Sequence, residues 1–136
     1  MRIALPSTGK DLNSIVDSRF GRALYFVFVD VEGKEIKKFE AYENPAYNAF
    51  GGAGIQASQF VANKGANVVI SPSIGPNSFG LLIQVGIKIY SCPFGISIKQ
   101  AVEMFLEGKL NEFKAPFGPG FGRGRGWRGG WGRGPW

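Results

Sequence analysis

The sequence predicts an α/β domain in which a five-stranded mixed sheet carries three helices, in the order β-β-β-α-β-α-β-α. Three observations carry that expectation. Residues 3–42 read as strands broken by a hairpin turn at Gly33. From residue 53 onward, helical stripes alternate with short apolar runs, the pattern of βαβ crossovers. Each helical stripe also ends on a glycine: Gly65, Gly86 and Gly108.

The elements follow in order. Ile3 to Leu5 begins a first strand that Pro6 is expected to stop. Leu24 to Val31 is apolar, β-branched and aromatic, and Asp30 to Lys34 forms a turn into a returning strand, Ile36 to Tyr42. Phe39 and Ala41 share one face of that strand while Ile36 does not, a phase error that a β-bulge would absorb. Ala53, Ala57, Phe60, Val61 and Lys64 then lie on one helical face, and Asn67 to Ile70 is a short strand. Gly75-Pro76 opens a second helix with proline at its first position and Phe79, Leu82 and Ile83 as its stripe. Ile87 to Tyr90 is the fifth strand. Ser97 and Gln100 have capping-box spacing ahead of Ile98, Ala101, Val102, Phe105 and Leu106, which recur with helical period.

If strands one, three, four and five run the same way, four connections meet above one edge of the sheet. They are residues 7–22, 44–54, 71–77 and 91–97. Open α/β sheets bind ligands at that carboxyl edge.

Residues 1–115 have the size of one domain with one core, and residues 116–136 are of another kind. The latter hold nine Gly, three Pro, four Arg, two Phe and all three tryptophans, with no acid and no aliphatic side chain. Ordering such a segment costs more backbone entropy than its own contacts return, so it is expected to be a tail. The chain carries 16 Lys and Arg against 10 Asp and Glu. Four of the positive charges lie in the tail, leaving 12 against 10 in the domain. The domain therefore has no global electrostatic attraction to nucleic acid. In the tail, Arg123, Arg125, Trp127, Arg128 and Trp131 alternate with glycine, a composition suited to weak, salt-sensitive RNA contact or to docking of the tryptophans on the chain's own domain or a neighbouring subunit.

Histidine is absent, which excludes His-based triads, His general bases and His-containing metal sites. One cysteine, Cys92, forms no intramolecular disulfide and fits a reducing compartment. No apolar run approaches a signal peptide or a membrane span, so a cytoplasmic location is expected. The acids show no short-spaced pairing of the kind that hydrolysis or metal binding uses.

Two glycine-containing loops and the cysteine are the candidate site. Gly51-Gly52-Ala53-Gly54 precedes a helix, where free N–H groups attract anions. It is neither a Walker loop nor a dinucleotide fingerprint, and taken alone it is better explained as a tight strand-to-helix turn needing positive φ. Ser71 to Asn77, with Gly75, offers hydroxyls and N–H groups to an anion, or serves to cap a helix. Cys92, between a strand and a helix start, is a metal-ligand candidate or a small buried residue.

Several segments together resemble the dinitrogenase iron–molybdenum cofactor biosynthesis family. They are Phe20-Gly21-Arg22, Glu43-Asn44-Pro45, residues 51–57, Gly75-Pro76-Asn77-Ser78-Phe79, residues 86–90, Gly95 and residues 101–110. Their order and spacing span nearly all of residues 1–113. The resemblance implies a ribonuclease H-like fold and non-catalytic binding or delivery of an anionic iron–sulfur or molybdenum-containing cluster. Members of the family often carry histidine before the Phe-Gly pair and near the Gly-Gly-Ala-Gly loop, where this chain has Arg19, Asn48 and Phe50. The resemblance thus leaves Cys92, backbone N–H groups and Arg19 or Arg22 to hold a cluster, with Gly51, Gly52, Gly54, Ser71 and Gly75 lining the site.

Overall fold

The structure is a computed structural model that describes residues 1–116. Arg123, Arg125, Trp127, Arg128 and Trp131, expected to contact RNA or to dock, lie outside the described residues. Among the described residues nine elements follow in sequence: β1 (Arg2–Ser7), β2 (Tyr25–Glu32), β3 (Glu35–Glu43), α1 (Ala53–Asn63), β4 (Val68–Ser71), α2 (Pro76–Gln84), β5 (Lys88–Ser91), α3 (Ile98–Leu106) and β6 (Asn111–Glu112). The expected mixed sheet with three helices is present, but the sheet has six strands, in the order β3-β2-β1-β4-β5-β6. The sixth was missed because it is only two residues long and antiparallel to β5, pairing Ser91 with Asn111 and Tyr90 with Glu112. Two residues show no period in a sequence.

β1, β4 and β5 pair in parallel, while β2 runs antiparallel to both β1 and β3. Strands β1, β3, β4 and β5 therefore share one direction, and the four connections after them gather at one edge. Pro6 does not stop β1, which continues to Ser7. The ladder from β1 to β4 takes in only Ile3 and Ala4, so Pro6 lies past it. There its carbonyl accepts from the Asp17 N–H at 2.9 Å, and no N–H of its own is needed.

The phase error in β3 is a bulge. Asp30 faces Lys38 but Val31 faces Ile36, leaving Lys37 as the extra residue. Gly33 turns the hairpin at φ 61°.

The sheet is packed on both faces. Phe26, Phe28 and Ala4 point to one side, where they meet Ala57, Val61 and Leu82 of α1 and α2. Val27, Val29 and Leu5 point to the other, against Ile98, Ala101 and Val102 of α3. Such period-two alternation on strands buried on both sides is what makes β2 read as a continuous apolar run. Phe60 of α1 closes an aromatic group, its ring 6.0 Å from Phe28 and 6.1 Å from Tyr42. Each fully buried phenylalanine adds roughly 1.5–3 kcal/mol of hydrophobic stabilisation. Ile83, expected in the α2 stripe, is 44 % exposed, because the buried positions of α2 are Leu82, in the core, and Ser78, against Gly54 of α1. No helix among the described residues is long and apolar enough to cross a membrane.

Candidate functional site at the carboxyl edge

The site is organised by the connection between β1 and β2, residues 8–24, which ties down its three neighbours. Toward α3, its Val16 N–H donates to Ile96 O at 2.9 Å, and it receives the Ile98 N–H on Ser14 O at 2.8 Å. Toward the β4–α2 turn, the Ser73 hydroxyl donates to Ser18 O at 2.5 Å. Toward the β3–α1 loop, Asn44 does most of the work. This side chain, 4 % exposed, donates through Nδ2 to Gly21 O and Ala23 O at 3.1 and 2.9 Å and accepts the Ala46 N–H at 2.9 Å. Every polar atom of the buried amide is satisfied, so loop geometry is fixed rather than adaptable.

Two glycines set the spacing. A Cβ on Gly21 would stand 3.2 Å from both Cα and N of Gly54 in α1. One on Gly54 would stand 2.7 Å from the Ser78 hydroxyl in α2. The start of α1 is thus wedged between the 8–24 connection and the start of α2, and the two helix N-termini lie side by side.

Both termini lack a cap. Gly52 precedes α1 and Gly75 precedes α2; neither supplies a side-chain hydrogen bond, and neither first turn contains an acid. Their first-turn N–H groups have no intrahelical partner. Pro76 removes one donor from α2, leaving Asn77 and Ser78. α3 differs: Ser97 and Gln100 form both hydrogen bonds of a capping box, so its N-terminus is closed. The edge therefore presents two adjacent open helix starts, each with partial positive charge.

The sequence-predicted residues separate into distinct roles. Gly51 and Gly52 are exposed beside α1, and Gly52 needs its glycine because φ is 70°. Gly75 is half-buried at the start of α2, with open space where a Cβ would be. Gly54 is a packing residue, since its bare Cα faces Ser78. Ser71 is fully buried, and its hydroxyl donates to Ser73 O at 2.7 Å, shaping the turn from within. Arg22 is exposed at this edge but donates to Tyr47 O and Ala49 O at 3.4 and 2.5 Å, pinning the β3–α1 loop while the rest of its guanidinium faces out. Arg19 pairs with buried Asp17 at 3.3 Å, and that hydrogen bond raises its pKa further.

Cys92 stands apart. It is 4 % exposed and packs with Ile70, Ile98 and Val102 on the α3 face, across the sheet from α1 and α2. Burial pushes its thiol up to about 12, so it is protonated at neutral pH. Among the described residues no group of three His, Cys, Asp or Glu side chains is placed to hold a metal ion. Gly21, Asn44 and Ser78 are not among the expected site residues, although each lies in a segment that carries the family resemblance and Asn44-Pro45 also reads as a turn dipeptide.

Comparison with known proteins settles the lineage. A family model described as dinitrogenase iron-molybdenum cofactor matches residues 1–108. The chain belongs to that family. An uncharacterized protein of Methanocaldococcus jannaschii is 38 % identical over 114 residues, covering 84 % of this chain and 92 % of that one. The apo orange protein of Desulfovibrio gigas is 37 % identical with a TM-score of 0.80, covering 86 % of this chain and 96 % of that one. A NifB-like protein of Thermotoga is 35 % identical with a TM-score of 0.74, covering 88 % and 98 %. The family match takes in the whole carboxyl edge, from the 8–24 connection to the start of α3.

Proposed function

We propose that this member of the iron-molybdenum cofactor family is a non-catalytic binding or carrier protein for an anionic metal–sulfur cluster of iron–sulfur or iron–molybdenum type. The cluster is cargo, taken up at the carboxyl edge and released without covalent change in the protein. The observation that carries this reading is the pair of uncapped, acid-free helix starts wedged together by Gly21, Gly54 and Ser78.

The residues present fit an anion held through its outer atoms better than a metal held through side chains. The chain has no histidine and one cysteine, and that cysteine is a buried, protonated thiol on the other face of the sheet. N–H groups of Ala53, Gly54, Ile55, Asn77 and Ser78, with the free side of Arg22, supply donors to the sulfides of a cluster. Gly51, Gly52 and Gly75 let that surface approach closely, since no side chain stands over their backbone. Arg19 adds positive charge to the rim while its fork stays on Asp17. The strand order, with β2 antiparallel among β3, β1, β4 and β5, supports a ribonuclease H-like reading of the fold, which by itself implies no nuclease chemistry.

Anaerobic reconstitution with ferrous iron and sulfide, followed by metal and acid-labile sulfide analysis, tests the proposal. Stoichiometric uptake that survives Cys92→Ala and weakens with salt supports outer-atom binding. Uptake lost in Cys92→Ala but not in Arg22→Gln would return the cysteine to the ligand set.

A further inference from the structure

Beside the proposed cargo site, between the end of β3 and the start of β2, lies a cleft of ≈ 310 Å³ lined by Leu24, Tyr25, Glu43, Pro45, Tyr47 and Asn48, among others. Its walls combine aromatic and apolar surface with one carboxylate. Leu24 is 40 % and Tyr47 42 % exposed, so the apolar wall is open to an occupant. Glu43 is exposed and forms no ion pair among the described residues, unlike Asp30, Glu32, Glu35 and Glu40, the other four acids of β2 and β3. The Tyr25 ring has Lys10 Nζ 5.4 Å from its centroid, a cation–π contact at one wall of the cleft. The chemistry that fits is an indole flanked by a guanidinium.

The chain itself carries such a ligand. All three tryptophans and four arginines fall after Pro116, with no acid among them. We propose that the segment 117–136 seats Trp131 in this cleft, with a neighbouring arginine, Arg128 or Arg133, on Glu43. The length permits it. β6 runs away from the carboxyl edge, so Pro116 starts from the far corner of the sheet. The diagonal to β3 spans five strand spacings of about 4.8 Å and the length of a strand, roughly 30 Å, and a path round the packed helices rather than through them adds about 10 Å. Residues 117–131 extend to about 50 Å. Attachment also gives the segment a high effective concentration at its own domain, which favours this occupant over a second copy of the chain. Seating an indole takes its apolar surface out of water. It is independent of the cargo, although the occupied cleft shares the loop that Arg22 and Asn44 pin at the cargo site.

Because residues 1–116 contain no tryptophan, the indole emission of the full chain reports on the segment alone. The experiment compares emission maximum and acrylamide quenching in the full chain with those of a free peptide of residues 117–136. The proposal expects a blue-shifted, protected signal in the full chain, lost in Glu43→Lys and in Tyr47→Ser, each checked by circular dichroism. Both positions are exposed, so neither change removes core packing. Trp131→Phe is expected to remove most of the shifted component, and Trp127→Phe little of it. A full-chain signal equal to the peptide's, or one that both cleft variants leave unchanged, overturns the proposal. Loss of the shift on dilution overturns seating within one chain.

Discussion

Gly21 and Gly54 meet backbone to backbone: a Cβ on Gly21 would lie 3.2 Å from Cα and from N of Gly54, and 3.4 Å from the Ala53 carbonyl carbon. Through this contact a loop leaving β1 sets where α1 begins, and Gly54 in turn sets how close α2 comes. Neither glycine needs positive φ, so their requirement is one of space.

Gly21→Ala is expected to destabilise the fold by about 1–3 kcal/mol, because backbone cannot rotate away from the added methyl. Gly54→Ala meets the Ser78 hydroxyl, which can rotate, and should cost less. Ser78→Ala in the same chain should recover much of that loss. Urea denaturation of the two singles and the double variant measures the difference.

Asn44→Ala leaves the Gly21 and Ala23 carbonyls of the 8–24 connection and the Ala46 N–H of the β3–α1 loop without their partner. A loss of about 2–3 kcal/mol is expected, as for an unsatisfied buried hydrogen-bond group or two. Hydrogen exchange should show faster opening at Ala46 and Leu24, with β4 and β5 unaffected. Uniform acceleration across the sheet would show that Asn44 supports the whole fold rather than the loop.

Asn77→Asp separates stability from cargo binding. A carboxylate in the first turn of α2 complements the helix dipole and should stabilise the fold by about 0.3–1 kcal/mol. The same charge repels an anion at the paired helix starts. Reconstituted variant should therefore hold less cluster although its Tm is higher, and equal cluster content would argue against the helix starts as the binding surface.

The Cys92 thiol gives an alkaline limit to stability. Its pKa is pushed up to about 12 by burial, whereas an unperturbed cysteine titrates near 8.5. Below about 8.5 both states are protonated and the contribution is complete. Between those values the unfolded chain releases a proton that the folded chain keeps, so stability falls by at most about 1.4 kcal/mol per pH unit. Cys92→Ala should flatten this slope in denaturation series taken above pH 8.5. Native protein should also resist iodoacetamide until it is unfolded.

Much of the fold was legible because it rests on local rules. Gly65, Gly86 and Gly108 end helices at positive φ, as their positions foretold. The Ser97–Gln100 box formed as its spacing predicted, and the bulge in β3 resolved the phase error of Ile36 against Phe39. Pro6 misled because its tolerance depends on which neighbour the strand has at that point, and β6 escaped because two residues carry no period.

The family, the three helices and first five strands, the lack of histidine and the segregation of arginine and tryptophan beyond residue 116 can all be read along the chain. These depend on composition, period and ordered motifs along one dimension. Three-dimensional packing sets the rest: Cys92 faces α3 while the open helix starts lie on the other side, Ser71 is spent inside a turn, and Gly54 serves packing. Strand alternation sends adjacent residues to opposite faces of a sheet, and close approach is a distance between elements far apart in the chain. Neither quantity is written in the residue types themselves.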